Sequence, residues 1–221
     1  MKLATIPEIL IIITVPVLLF LCAFNYYAFN PGFYKEKFSQ YKVYDDFPAA
    51  DSINSKVIGF ITGKDDVLPE IFNQRERQHL SDVRKAIGVS RTVFYSSIAA
   101  FALLLFVVGL ILKDKVQIIE LFGRIMLFGG LLTLALSGLL LFAIASDFSG
   151  SFESFHQLLF KSGTYSFDPS TEIIVRLYPE QLFMDIGSSI SKAVIFSSSA
   201  LVILGGLALF KNKKNKNTER L

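Results

Sequence analysis

The sequence predicts an all-α integral membrane protein: a four-transmembrane-helix bundle with a small α+β extracytoplasmic domain. Three observations lead there. Of the 221 residues, 52% are hydrophobic, and the mean hydropathy is +0.50. These apolar residues gather in four long runs instead of spreading along amphipathic stripes, which a water-soluble core of this size could not absorb. Basic residues concentrate at Lys2, at Lys113-Asp114-Lys115 and in the tail Lys211-Asn212-Lys213-Lys214-Asn215-Lys216, all on one side of a four-span chain. The positive-inside rule makes that side cytoplasmic, so the chain is expected N-in and C-in in the cell membrane. A net charge of only +3 gives no electrostatic case for binding nucleic acid.

Residues 1–29 hold a cytoplasmic N-terminus and the first span. Its apolar run, 9–24, is long for a signal-peptide core, and Asn25, Tyr26 and Tyr27 follow where a small-x-small cleavage site would stand, so it reads as an uncleaved anchor. Cys22, the single cysteine, excludes an internal disulfide. It reads as lipid-facing packing, because Leu21 occupies the small-residue position of a lipobox. Residues 30–91 form a first extracytoplasmic segment. Within it, 55–62 (Ser-Lys-Val-Ile-Gly-Phe-Ile-Thr) reads as a strand ending at Gly63, with 41–44 as its partner. Asn73-Gln74-Arg75-Glu76 then has the N-x-x-E pattern of a capping box, opening a helix that carries His79 and is expected to stop at Gly88.

The second span, 92–112, lacks charge from 93 onward, matching the roughly 20 residues needed to cross a bilayer. A cytoplasmic turn, 113–116, leads to the third span, 117–146, whose first turns carry Glu120 and Arg124 as a self-neutralising i,i+4 pair. Residues 147–187 form a second extracytoplasmic segment. It is an aromatic-rich loop through Phe152-Glu153-Ser154-Phe155-His156, with a turn at Gly163-Thr164 and a helical stretch over 170–178. The fourth span, 188–210, admits Lys192 by snorkelling, and 211–221 is a basic cytoplasmic tail.

Repeats, glycine-rich phosphate loops, G-x-S-x-G elbows and Cys/His metal spacings are all missing, so neither metal nor cofactor is expected. The chemistry-bearing residues are the two histidines, His79 and His156, one in each external segment. A neutral imidazole is the natural proton carrier near pH 7, and two of them could serve as base and acid or as base and oxyanion stabiliser. His79 and Asp82 share a helix face, and a carboxylate orienting an imidazole recurs in catalysis. The opposing reading has His79 decorating a charged helix and His156 sitting as an interfacial amphiphile. On the residues alone, a membrane enzyme and a non-catalytic membrane partner or sensor protein both stand.

The stretch Arg75-Glu76-Arg77-Gln78-His79-Leu80-Ser81-Asp82-Val83-Arg84 resembles the R-E-x-x-H-L-x-D-V-[KR] signature of a bacterial four-span family. Phe155-His156-Gln157-Leu158-Leu159-Phe160, Gly163 and Phe167-Asp168-Pro169 resemble its second block, and Leu177-Tyr178-Pro179-Glu180-Gln181-Leu182-Phe183 its closing block. Tyr165 stands where tryptophan is usual and Leu182 where phenylalanine is usual; both keep an apolar body. The chain is thereby similar to the lipoprotein intramolecular transacylases of Gram-positive bacteria. That resemblance implies transfer of the sn-2 acyl chain of a lipoprotein's diacylglyceryl group to the α-amine of its N-terminal cysteine, giving a lyso-form lipoprotein. The implied partners are a diacylated lipoprotein substrate and membrane lipids, with no cofactor and no nucleic acid.

On that resemblance His79 is expected as principal base and His156 as proton donor or oxyanion stabiliser, with Asp82 orienting His79. Arg84, Tyr165 and Asp168 are expected to support the site or bind glyceryl and carbonyl oxygens, and Ser81 and Ser154 are the alternative, acylated nucleophiles. The short turn between the second and third spans should bring the two histidines together. A lipid hydrolase or an intermolecular acyltransferase is the competing enzyme reading.

Overall fold

The computed structural model of the protein describes residues 6–112, 114–160 and 164–218; Lys2, Lys113, Lys161 and Gly163 lie outside the described residues. Nine helices occur among the described residues: α1 (Ile6–Ala28), α2 (Pro31–Gln40), α3 (Val43–Asp46), α4 (Ala50–Ile61), α5 (Gln74–Ile111), α6 (Lys115–Ser146), α7 (Phe148–Leu159), α8 (Ile174–Leu177) and α9 (Glu180–Thr218). They divide into two compact units. One contains Met1–Phe24, Val93–Phe142 and Ile190–Leu221; the other contains Asn25–Thr92 and Ala143–Ser189.

Helices α1, α5, α6 and α9 are the four long and apolar enough to cross a membrane, so the chain is a multi-pass membrane protein. In the first unit, large apolar side chains such as Leu103, Phe106, Phe142, Phe196 and Phe210 are exposed, as befits a surface solvated by lipid. Ile11, Val15, Val108, Leu121 and Ile125 form a buried apolar cluster, and glycines let helices approach closely. A Cβ on Gly205 would lie 2.6 Å from the Leu127 amide nitrogen, so α6 and α9 meet backbone to backbone. The hydroxyls of Thr133, Ser137 and Ser198, all fully buried, donate to carbonyls one turn earlier in their own helices. Arg124 makes the expected bond to Glu120 at 3.1 Å, but its stronger partner is Glu8 of α1. Nε and Nη2 of Arg124 donate to the two Glu8 oxygens at 2.6 and 3.1 Å.

The second unit has helices and turns but no strand among its described residues, which corrects the expected α+β domain. The strand expected over 55–62 is the second half of α4. Ala50, Asn54, Val57 and Phe60 are buried, and their spacing of three or four places one face of a helix inward, overriding the β-branched composition. Its supposed partner, 41–44, spans the end of α2 and the start of α3, with Lys42 left-handed at φ 56°. Asn30 caps α2 by accepting from the Gly32 and Phe33 amides, with Pro31 in the first helical position. Tyr34, Phe38 and Tyr178 form an aromatic core, and the two phenols donate to the Ala28 carbonyl and to Asn54.

Other boundaries move as well. Helix α5 does not stop at Gly88; with no positive φ there, the backbone ladder simply continues, at a glycine cost of about 1 kcal/mol. Residues 152–156 belong to α7, capped by Asp147 through the Gly150 amide, and not to a loop. The helical stretch expected over 170–178 is confined to α8, and α9 begins at Glu180, directly after Pro179, and runs on into the basic tail.

Candidate active site

His79 lies on the second turn of α5, and a reciprocal capping box sets where that helix begins. Asn73 Oδ1 accepts from the Glu76 amide at 2.9 Å, and Glu76 Oε2 accepts from the Asn73 amide at 2.7 Å. His156 sits near the end of α7 in the same unit. The two imidazoles come together as a stacked pair with centroids 6.2 Å apart and planes 24° from parallel. Aromatic rings wall them in. Phe160 and Phe167 pack edgewise on His79 at 5.0 and 5.3 Å, and Phe152, Phe160 and Tyr165 surround His156 at 4.2, 5.6 and 5.2 Å.

The two imidazoles have different electrostatic settings. His156 Nδ1 lies 2.7 Å from the Phe152 carbonyl oxygen. A carbonyl only accepts, so Nδ1 carries the proton and neutral His156 presents a lone pair at Nε2. His79 is 7% exposed, and its Nδ1 is buried with no hydrogen-bond partner among the described residues. Burial, reinforced by the neighbouring His156 and only partly opposed by the Asp82 carboxylate, pushes the His79 pKa from 6.5 down to about 4. His79 is therefore a neutral imidazole across the physiological range. It lies in the part of α5 that precedes the apolar stretch beginning at Val93.

The remaining candidates are mostly engaged elsewhere. Asp82 receives Lys85 Nζ at 2.8 Å and faces the Gln78 amide, so it acts on His79 through its field and makes no hydrogen bond to it. Arg84 donates to the Asp65 carbonyl and to Asp66 and covers the Phe60 ring, holding the turn that follows the left-handed Gly63. Asp168 accepts from the Ser170 amide and hydroxyl within its own turn. Ser154 gives its proton to the Gly150 carbonyl inside α7, and Ser81 is half-buried on α5. Tyr165 is brought to the site: its ring tilts over His156 while its hydroxyl donates to Glu153 at 3.0 Å.

Sequence reasoning missed Phe152, Phe160 and Phe167 as site walls, and Glu153 and Glu172 as anchors. Glu153 and Phe160 lie one turn on either side of His156, which is the signal that could have found them once 148–159 was read as a helix.

The depressed His79 titration has a consequence for stability. In the folded protein the ring stays neutral down to about pH 4, whereas unfolded it takes a proton near 6.5. As pH falls through that window the unfolded chain binds a proton that the folded protein refuses. Folding stability should drop by roughly 3 kcal/mol across it and be unaffected above it. Melting curves in detergent at pH 7 and pH 4.5 should show a larger loss for the native protein than for His79→Gln. Equal losses would mean that the ring is hydrated.

The profile of the family described as "Lipoprotein intramolecular transacylase Lit" matches residues 9–183. Among solved structures, the membrane integral lipoprotein intramolecular transacylase Lit from Bacillus cereus is 20% identical, with 94% of this chain and 96% of that chain covered at a TM-score of 0.81. Two variants of the same protein, with a histidine replaced by arginine or by alanine, are also 20% identical and align at a TM-score of 0.75. The arginine variant covers 95% of this chain and 93% of its own, the alanine variant 94% of each. No curated protein shows significant similarity to the chain. With the family profile spanning most of its length, the chain belongs to the lipoprotein intramolecular transacylase family and is a membrane acyltransferase.

Proposed function

We propose that the chain moves the sn-2 acyl group of a diacylated lipoprotein to the α-amine of that lipoprotein's N-terminal cysteine, using His156 and His79. The observation that carries this reading is the stacked, aromatic-walled pair of imidazoles in a chain of this family. An α-ammonium has a pKa near 8 and must first lose a proton, which goes to bulk water, before it attacks. After that loss the amine nitrogen adds to the ester carbon, and the tetrahedral intermediate carries an oxyanion. His156 Nε2 then takes the second nitrogen proton and passes it to the departing glyceryl oxygen. The C–O bond breaks, the amide C–N bond remains, and no energy source is consumed.

Neutral His79 suits the other role, donating an N–H to the oxyanion, because a ring that resists protonation remains a donor without becoming an acid. The hydrogen bond that fixes the His156 tautomer favours this division over the expectation that His79 is the base. Nucleophile and ester belong to one molecule, so holding them in register supplies much of the rate.

Mass spectrometry of a lipoprotein's N-terminal peptide, after expression of this chain in cells lacking other N-acylating enzymes, tests the reaction. The product should retain both acyl chains, one now on nitrogen. Loss of a chain would indicate hydrolysis, and a third chain an external donor.

The same reading places 30–91 and 147–187 outside the cell membrane, with both termini inside, supported by the basic tail at 211–216. In a Cys22→Ala background, Asp66→Cys should react with an impermeant thiol reagent on intact cells and Asn215→Cys should not. The reverse pattern would invert the topology.

A further inference from the structure

The motif containing His79 opens with Arg75 and Glu76, whose side chains turn to the segment 166–174. Arg75 Nη1 lies 3.1 and 3.3 Å from the two oxygens of Glu172, Nη2 donates to the Ser166 carbonyl, and the guanidinium covers the Phe167 ring at 5.0 Å. Glu172, 5% exposed, also accepts the Asp168 amide at 2.7 Å. Glu76, 1% exposed, accepts the Ile173 and Ile174 amides at 2.6 and 2.8 Å, while its other oxygen completes the capping box of α5. One helical turn thus grips a segment some 97 residues away at both ends. Within that segment lies Phe167, whose ring rests 5.3 Å from that of His79.

We propose that Arg75 and Glu76, with Glu172, are positioning residues: their clasp holds Phe167 against His79 and thereby keeps water off the imidazole pair. This rests on the reading of His79 and His156 as the working residues. A buried carboxylate that receives three backbone amides, next to an arginine shared between a carboxylate, a carbonyl and a ring, is a costly arrangement to maintain for a surface loop alone. What it secures is a dry wall. The titratable groups facing His79 are Asp82 from its own helix, His156 from α7 and, beyond His156, Tyr165 with its partner Glu153. Arg75→Met and Glu76→Gln also change the charge one turn before His79, in opposite senses, so a rise common to both and to the uncharged change Phe167→Ala comes through hydration. A hydrated His79 binds protons more readily and loses its character as a fixed neutral donor.

The full-length protein, purified through a histidine-free tag, has only two imidazoles to observe by NMR, and His156→Gln assigns them. In Arg75→Met, Glu76→Gln and Glu172→Gln, the His79 midpoint should rise from near 4 by about one unit or more. Turnover should fall by about tenfold with KM nearly unchanged, because the wall acts on the reacting centre and not on lipid partitioning. Phe167→Ala, which removes the wall and leaves the clasp, should reproduce both changes and covers the case in which a clasp variant does not fold. An unmoved His79 midpoint in folded Arg75→Met or in Phe167→Ala overturns the proposal, even if turnover falls. If the midpoints move while His79→Ala and His156→Ala still transacylate, the clasp stands and the assignment of the histidines fails.

Discussion

Replacing either His79 or His156 with alanine should reduce transacylation by at least about a hundredfold, and replacing both should cost little more than the worse single change. The rings lie 6.2 Å apart under a shared wall of Phe160, so one reacting centre is within reach of both. Groups that act on a single transition state are not additive: with the base gone, an oxyanion donor has little charge left to stabilise. Glutamine separates the two roles. His79→Gln keeps an N–H donor at similar reach and should retain clearly more activity than His79→Ala. His156→Gln has no nitrogen able to carry a proton from amine to alkoxide and should be as poor as His156→Ala. The N-acylated fraction of a lipoprotein substrate, quantified by mass spectrometry in correctly inserted variants, checks all of this. A near-normal rate in either alanine variant would remove the pair from the mechanism and turn the search to Tyr165. If His156→Gln outperforms His79→Gln, the two roles are reversed.

What the sequence revealed and what it hid divide along physical lines. The four spans were legible because an apolar run of bilayer length has few alternatives, and each coincides with a long apolar helix. The start of α5 was legible because a capping box is local chemistry: Asn73 and Glu76 make both of its bonds. The meeting of His79 and His156 followed from the short turn between two spans, and the rings do stack. Local composition misled elsewhere. Val57, Ile58 and Ile61 look like a strand, but the inward spacing of Ala50, Asn54, Val57 and Phe60 belongs to a helix. The phenylalanines around His156 look like loop anchors, yet Asp147 starts a helix there and puts Phe152 one turn before His156, where its carbonyl fixes the tautomer. Asp82 has the spacing to orient His79, but Lys85 sits one turn further on and takes its carboxylate. The clasp of Arg75 and Glu76 on Glu172 and α8 was hidden because nothing local links groups 97 residues apart.

The same blindness applies to Glu8, which precedes the first apolar run and gives no sign of a partner, while Arg124 reads as already neutralised by Glu120. In the structure Glu8 is 2% exposed and receives two guanidinium nitrogens, whereas Glu120 receives one and is partly exposed. Arg124→Leu should therefore leave a buried carboxylate without its compensating charge and destabilise the protein by about 3–5 kcal/mol, read as a large fall in melting temperature in detergent. Glu8→Gln should cost less, because Arg124 keeps Glu120 and the amide oxygen still accepts a bond. The double change Glu8→Leu with Arg124→Leu should recover most of the loss, since two apolar side chains of similar length fill the space without a charge to desolvate. That recovery separates a pair held for the compatibility of its members from one held for net stabilisation. A double variant as unstable as Arg124→Leu would mean that the bidentate bond itself fastens α1 to α6. A melting temperature unchanged in Arg124→Leu would mean that Glu8 reaches water after all.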